Sequence, residues 1–163
     1  MTLQGWSVST PAAPLSVVCD GDVVVASGFR PLVEIVDNVD SDVEVVEPSG
    51  TVFDAVVRYL EGDVNALDDV AVEQPGGPFS QDAWRAMREI PAGQTWSYRD
   101  VAAKAGKPDA VRAAGTACGR NRVAPFVPCH RVVRSDGSLG GYGFGLDVKR
   151  WLLGHEAGER PLV

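Results

Sequence analysis

The sequence is poor in the residues that characterise disulfide-bonded, metal-bound and membrane-embedded proteins. Among its 163 residues only three are cysteine and two are histidine, and 7% are aromatic. Cys19, Cys118 and Cys129 cannot all pair within the chain, so no disulfide framework is expected. No segment approaches the roughly 20 consecutive apolar residues of a membrane helix, and residues 1–18 do not resemble a secretory signal. We therefore expect a cytoplasmic globular protein with one sizeable domain or two small ones, and no membrane partner.

Basic residues are scarce in the first half of the chain. Residues 1–78 contain two arginines and 14 acidic residues, a net charge of −12, whereas residues 79–163 contain 13 basic and eight acidic residues, a net charge of +5. Such asymmetry hints at a nucleic-acid-binding surface on the basic half. A solvated acidic lobe beside a mildly basic one explains the same charges equally well.

A cluster of breaker residues, Gln74-Pro75-Gly76-Gly77-Pro78, predicts a linker at 75–78 between a domain at 1–74 and a second domain at 79–163. In the first domain, β-branched runs on both sides of Asp20-Gly21 predict a hairpin. Residues 49–61 have the apolar spacing of an amphipathic helix, and residues 31–47 fit a strand or a loop. The first domain is therefore predicted to be a small α+β lobe.

The second domain has helical periodicity. Three helices are predicted, which Ser80, Ser97 and Asp109 would cap and which reach residues 89, 106 and about 119. The last two are joined by Gly-Lys-Pro and have the form of a helix-turn-helix, although helical hairpins are also common in proteins that never bind DNA. The third helix consists almost entirely of small residues, which suit either close approach to a DNA groove or tight core packing.

The segment Val127-Pro128-Cys129-His130-Arg131-Val132 is the strongest chemical signal in the chain. An adjacent imidazole can activate a thiol as a nucleophile, and a carboxylate can orient that imidazole. Both His130 and His155 are available, and Glu156 follows the second. A buried structural cysteine is the alternative, and for a bare Cys-His pair it is the more common one.

The spacing of residues argues against two other kinds of site, a metal site and a phosphate-binding loop. Cys118, Cys129, His130 and His155 lack the Cys-x-x-Cys or His-x-x-x-His spacing of a metal site, so no metal is predicted. The glycine-rich segment 140–145 lacks the Lys-Ser/Thr of a phosphate-binding loop. We expect it to be a flexible pocket wall that follows a turn at residues 135–137.

The motif Pro128-Cys129-His130-Arg131-Val132 resembles the active-site motif of the O6-alkylguanine-DNA alkyltransferases, also called methylated-DNA–protein-cysteine methyltransferases. The resemblance covers about Phe79 to Gly158, and it is fainter at Ser9-Thr10-Pro11 and Pro14-Leu15. Its other matching elements are Ser97-Tyr98, Val111-Arg112-Ala113, Asn121, the Gly-Tyr-Gly-Phe-Gly loop, Lys149-Arg150-Trp151-Leu152-Leu153 and His155-Glu156. It implies an α+β fold in which a ribonuclease-H-like lobe precedes a helix-turn-helix, winged-helix-like lobe that carries the active-site cysteine.

The resemblance also implies DNA repair by suicide transfer. An alkyl group would pass from O6-alkylguanine, or from O4-alkylthymine, in double-stranded DNA to the cysteine, once per protein and without a cofactor. The damaged nucleotide would first be flipped out of the duplex. The protein is expected to be a monomer that can cluster on DNA and to associate with the nucleoid when bound.

Catalytic roles are implied residue by residue. Cys129 matches the alkyl acceptor, His130 the imidazole that takes the thiol proton through a water, and Glu156 the carboxylate that orients the imidazole. Asn121 matches the residue that pins the turn before the cysteine. Tyr98 and Lys149 match the groups that donate hydrogen bonds to the departing guanine.

The remaining roles concern DNA and the pocket. Arg112 matches the arginine that takes the place of the extruded nucleotide. The other expected DNA contacts are Tyr98, Ala113, Gly115, Arg120, Arg122 and Arg131, and the expected pocket residues are Tyr142, Gly143 and Val132. Two other functional classes stay open: a DNA-binding damage sensor or regulator without alkyl transfer, and a cysteine hydrolase with continuing turnover.

Overall fold

The computed structural model describes residues 2–158, and these form two compact units. The first unit contains residues 2–74 and the segment 122–126, and the second contains residues 75–121 and 127–158. The second domain was predicted to be continuous from residue 79, so the segment 122–126 corrects that prediction. Across residues 2–158 there is no helix with both the length and the apolar content needed to cross a bilayer.

The returning segment joins the first unit through hydrogen bonds of Ser27 and Gln74. Ser27 N donates to Arg122 O at 2.8 Å, and Ser27 Oγ donates to Ala124 O at 2.7 Å. Arg122 N donates to Gln74 Oε1 at 2.8 Å. Because the partners are 48 and more residues apart in sequence, no local pattern announces this pairing.

The first unit is built on a five-stranded mixed sheet. Its strands are β1 (Leu3–Val8), β2 (Leu15–Asp20), β3 (Val23–Gly28), β4 (Val43–Val45) and β5 (Ala71–Val72), in the order β4-β1-β2-β3-β5. The first three strands are antiparallel, β4 runs parallel to β1, and β5 runs parallel to β3. The predicted hairpin is confirmed as β2–β3, and Gly21 supplies its left-handed residue at φ +59°.

Two helices pack with this sheet. The first, α1 (Leu32–Val36), lies in the segment that fitted a strand or a loop, as does β4. The second, α2 (Thr51–Leu60), confirms the predicted amphipathic helix and ends before Gly62, which has φ +114°. The strand β1 was not predicted, because its glycine and polar residues weaken the β pattern. Its pairing with both β2 and β4 is what makes it a strand.

The second unit contains four α-helices and a pair of two-residue strands. They are α3 (Pro78–Met87), β6 (Trp96–Ser97), α4 (Tyr98–Lys104), α5 (Val111–Gly119), a 3₁₀ turn (Cys129–Arg131), β7 (Val132–Val133) and α6 (Leu146–Glu156). The three predicted helices are confirmed as α3, α4 and α5. Strands β6 and β7 pair in parallel.

Only one of the three predicted helix caps is present. Ser97 forms a full capping box with Asp100, with hydrogen bonds of 2.9 and 3.0 Å. The Ser80 cap is wrong, because α3 already begins at Pro78, a residue well suited to a first helical position. The Asp109 cap is also wrong, since α5 begins after Ala110 and has no side-chain cap.

The small residues of α5 serve the core on one face of the helix. Ala114 and Ala117 are fully buried, and Trp84 Nε1 donates to Ala117 O at 2.9 Å. Arg112 and Ala113 lie on the exposed face. Tight packing, one of the two interpretations of this helix, therefore accounts for its buried face, and the exposed face remains available to a partner.

Candidate active site

A cavity of about 480 Å³ in the second unit brings six of the predicted functional residues together: Tyr98, Arg112, Gly115, Cys129, Tyr142 and Gly143. Its size falls in the range of small-molecule binding sites. Helices α4 and α5, the turn that carries Cys129 and the glycine-rich loop all contribute to its walls. The lining residues are Tyr98, Val111, Arg112, Gly115, Cys118, Gly119, Cys129, Arg134, Gly141, Tyr142 and Gly143.

His130 pairs with the buried carboxylate of Glu156. Its Nε2 lies 2.8 Å from Glu156 Oε2, and both side chains are buried. Burial lowers the pKa of His130, although the charge of Glu156 opposes this effect, and the imidazole is neutral. His155 instead stacks on Trp151, with ring centroids 4.7 Å apart.

The proton on this imidazole can be placed by elimination. An ionised carboxylate only accepts hydrogen bonds, so Nε2 of His130 must carry the proton that bonds to Glu156. The other nitrogen, Nδ1, is buried and has no hydrogen-bond partner within the described part of the chain. It therefore presents an unused lone pair, as a general base requires.

Arg131 lies in the interior, which corrects its predicted role as a DNA contact. Only 2% of its surface is exposed. Its Nε and Nη2 donate to the two carboxylate oxygens of Glu156 at 2.8 and 3.1 Å, and its Nη1 donates to Ile90 O at 2.8 Å. Burial would raise the pKa of Glu156, but the positive charge that His130 gains at low pH, the charge of Arg131 and the hydrogen bonds from both side chains outweigh burial and hold it at about 2.

Cys129 is a buried thiol on the wall of the cavity. Burial raises its pKa, while a hydrogen bond from the Asn121 side chain and the charge of Lys149 lower it. Asn121 Nδ2 also donates to Val127 O at 2.8 Å, which holds the turn before the cysteine. The resting group is therefore a protonated thiol that needs a base to become a nucleophile.

Lys149 does not have the free donors that its predicted role requires. It is fully buried, and its Nζ donates to Val132 O at 2.7 Å, to Gly141 O at 3.2 Å and to Leu139 O. An ammonium has three protons, so none is left for a hydrogen bond to a guanine. Through these hydrogen bonds Lys149 holds the glycine-rich loop, which was expected to be a flexible pocket wall, in place.

Val132, a predicted pocket residue, and Tyr98, a predicted hydrogen-bond donor to guanine, have different outcomes. Val132 is fully buried in β7 and does not line the cavity, so its assignment to the pocket is wrong. Tyr98 is half-buried at the start of α4 and lines the cavity. Burial raises the pKa of its hydroxyl, so the group is protonated at neutral pH and can donate a hydrogen bond.

The arginines predicted to contact DNA lie in different units. Arg112 and Arg120 are exposed on and just after α5 in the second unit. Arg122 lies in the first unit, where its Nη1 donates to Asn38 O at 3.2 Å. Contacts of these arginines, Ala113 and Gly115 with DNA stay predictions.

Sequence reasoning missed four residues of the cavity wall, Val111, Cys118, Gly119 and Arg134. Gly119 and Cys118 follow Arg112 and Gly115 at intervals that return to one side of a helix, so helical spacing could have found them. Cys118 was considered only as a metal ligand, and burial and the nearby Cys129 raise the pKa of its thiol. No pattern singled out Arg134. Among residues 2–158 no three His, Cys, Asp or Glu side chains are grouped so that they could hold a metal ion.

Comparisons with known proteins agree with this geometry. The family model described as "6-O-methylguanine DNA methyltransferase, DNA binding domain" matches residues 78–158. A methylated-DNA–protein-cysteine methyltransferase of Salmonella typhimurium is 36% identical over 91% of this chain and 92% of its own.

Two solved structures superimpose on this chain over nearly its whole length. The O6-methylguanine methyltransferase of Mycobacterium tuberculosis superimposes with a TM-score of 0.81 at 32% identity, over 99% of this chain and 96% of that one. A structure of the M. tuberculosis protein in complex with DNA superimposes with a TM-score of 0.75 at 31% identity, over 97% of this chain and 95% of that one.

Proposed function

This chain belongs to the methylated-DNA–protein-cysteine methyltransferases, which repair DNA directly by alkyl transfer, and we propose that Cys129 is its alkyl acceptor. The observation that carries this proposal is the position of the thiol. It lies on the wall of a cavity and next in sequence to an imidazole that a buried carboxylate orients. The substrate is double-stranded DNA that contains O6-alkylguanine, with O4-alkylthymine as a second lesion of the same kind.

The first step is removal of the thiol proton. His130 Nδ1 accepts it through a bridging water, and the imidazolium that forms is stabilised by Glu156 at 2.8 Å. The ammonium of Lys149 and the hydrogen bond from Asn121 favour the thiolate electrostatically. Arg131 keeps Glu156 ionised and fixed in place, so it is a positioning residue and does not touch substrate.

The second step is an in-line displacement. The thiolate attacks the alkyl carbon, a carbon–sulfur bond forms, and the bond between that carbon and O6 of guanine breaks. The electron pair of the broken bond remains on guanine, whose developing charge the Tyr98 hydroxyl stabilises by donating a hydrogen bond. Because the thioether at Cys129 is not hydrolysed, each molecule reacts once.

Access to the alkyl carbon requires that the nucleotide leave the base stack. An alkyl group on a stacked base cannot line up with a thiolate at the wall of a cavity, so the nucleotide rotates out of the duplex. Arg112 is exposed on α5 and also lines the cavity, and it occupies the vacated site. The exposed Ala113 lets α5 approach the groove closely, with Arg120 near the phosphates.

The topology supports the finer fold assignments. Three antiparallel strands with a fourth strand parallel to the first support a ribonuclease-H-like first unit. The pair α4–α5 followed by β7 supports a winged-helix-like second unit. Because its substrate is DNA, we place the protein at the nucleoid in the cytoplasm, as a monomer that can cluster along the duplex.

Intact-protein mass spectrometry tests the proposal. Incubation with a duplex that carries one O6-methylguanine should add one methyl group per chain and saturate at one equivalent. Cys129→Ser should bind the duplex without gaining mass. Cys118→Ser is the matched control, because it removes the other thiol of the same cavity and should still be methylated. Tight binding without a mass change would indicate a damage sensor, and product beyond one equivalent would indicate a hydrolase.

Nucleotide flipping is tested separately with Arg112→Ala. The variant should lose at least tenfold in repair rate on duplex DNA, because flipping costs a few kcal/mol that the arginine helps to offset. Its reaction with free O6-benzylguanine, which needs no flipping, should be unchanged. Equal losses on both substrates would contradict the role of Arg112.

A further inference from the structure

Two arginines line the cavity, and the proposed mechanism uses only one of them. Arg112 comes from α5, and Arg134 follows β7. Both are exposed, and within residues 2–158 neither forms a salt bridge with an acidic side chain. Two other arginines of the second unit do form such pairs, Arg85 with Asp82 and Arg150 with Asp147. Arg134 is therefore an exposed cation on the cavity wall that forms no ion pair within the described part of the chain.

The backbone holds Arg134 at the reacting end of the cavity. Strands β6 and β7 pair in parallel, with Trp96 opposite Val132 and Ser97 opposite Val133. The next residues along the two strands are Tyr98 and Arg134, so they emerge at the same end of the ladder. Both belong to the cavity wall.

A tight turn after β7 fixes this position further. Arg134 N donates to Ser138 O at 3.0 Å, and Gly137 N donates to Arg134 O at 2.9 Å. The acidic residue of the turn, Asp136, accepts hydrogen bonds from the backbone N and the hydroxyl of Ser138 at 2.9 and 2.7 Å. The hydrogen bonds from Ser138 and the charge of Arg134 both lower the pKa of Asp136, but the two side chains form no ion pair, so Arg134 can still bind another anion.

The chemistry of an extruded nucleotide indicates what Arg134 binds. A nucleotide that enters the cavity base first leaves its sugar and two negatively charged phosphates at the mouth. Apart from the two arginines, the lining offers only glycines, Val111, tyrosines and thiols that burial keeps protonated. Guanidinium groups bind phosphate oxygens through paired, charge-assisted hydrogen bonds.

We propose that Arg134 binds one of the two phosphates that flank the alkylated nucleotide while its base occupies the cavity. This inference rests on the proposed function. The contact is made only when the nucleotide is extruded. It therefore adds affinity for the flipped state, independently of the DNA sequence.

The first test compares Arg134→Ala and Arg134→Lys with the wild-type protein. On a duplex with one O6-methylguanine, Arg134→Ala should lower the second-order rate constant about tenfold, the usual effect of losing one hydrogen bond to a charged group. Arg134→Lys keeps the positive charge but loses the paired hydrogen bonds, so its rate constant should lie between those of Arg134→Ala and the wild type. Arg150→Ala, an exposed arginine outside the cavity, is the control and should match the wild type. The reaction of all variants with free O6-benzylguanine should be equal, and a loss there would mean that Arg134 contacts the base or supports the fold.

The second test removes the charge from the DNA instead. A neutral methylphosphonate is placed on the 5′ or on the 3′ side of the lesion. At one of these positions the wild-type rate should fall to that of Arg134→Ala, and the variant should lose nothing more. If both substitutions slow the variant and the wild type by the same factor, the proposal is wrong. A wild-type protein that transfers no methyl group to Cys129 would instead overturn the proposed function.

Discussion

The buried carboxylate of Glu156 should make a measurable contribution to the free energy of unfolding. This contribution should depend on pH, and the direction of the dependence can be worked out. The side chain is 1% exposed and bonded to His130 and Arg131, and its pKa is about 2 against an ordinary value of 4.5. At about 1.4 kcal/mol per pKa unit, this difference corresponds to roughly 3 kcal/mol of folding free energy. The figure agrees in order of magnitude with the ~3–5 kcal/mol expected when one partner of a buried ion pair is removed.

The sign follows from the direction of the shift. A carboxyl whose folded pKa lies below its unfolded pKa stabilises the protein fully above about pH 4.5, and this contribution disappears as the pH falls towards 2. At pH 7, Glu156→Gln should therefore unfold with a free energy lower by about 3 kcal/mol. The gap between the variant and the wild type should narrow as the pH falls below about 4.5.

Urea denaturation followed by tryptophan fluorescence measures this gap at each pH. The control is Glu89→Gln, which removes an exposed carboxylate 3.7 Å from Lys104 and should change stability by less than about 1 kcal/mol. Equal stability of Glu156→Gln and the wild type at pH 7, or a gap that persists unchanged near pH 3, would refute this account. Glu156→Gln should also shift the pH profile of Cys129 alkylation by free O6-benzylguanine, since the oriented base is lost.

Two further substitutions test the supports of the cavity. Gly140→Ala should slow methyl transfer several-fold, because Gly140 has φ +69° and its added Cβ would lie 2.8 Å from Tyr98 Oη. Single-turnover kinetics measure the rate, and an unchanged rate would show that methyl transfer does not need Tyr98 in this position. Ser97→Ala should lower the free energy of unfolding by about 1 kcal/mol through loss of the capping box with Asp100, measured by urea denaturation; a wild-type midpoint would mean that packing alone sets the start of α4.

The sequence by itself determined the local elements and the chemical identity of the site. The β-branched runs on both sides of Asp20-Gly21 were enough for the β2–β3 hairpin. Apolar spacing, together with the expected start and stop residues, was enough to locate α2 through α5, because these signals lie within a few residues of one another. The order of motifs around Cys129 was enough to identify the family. Pro78, by contrast, started α3 before the serine that was expected to cap it.

Only the tertiary structure decided which groups meet and which remain free. The residues alone left His130 and His155 as equivalent candidates, and only the family resemblance favoured His130. The contact of His130 with Glu156, 26 residues away, gives the physical reason. The sequence suggested that Arg131 and Lys149 are surface cations. In the fold both are buried: Arg131 donates hydrogen bonds to the Glu156 carboxylate, and Lys149 donates to three backbone carbonyls. Hydrogen bonds and ion pairs act between groups that are close in space, whatever their separation along the chain, so no local pattern could assign them. The same reason left Arg134 unnoticed until the fold placed it at the cavity mouth.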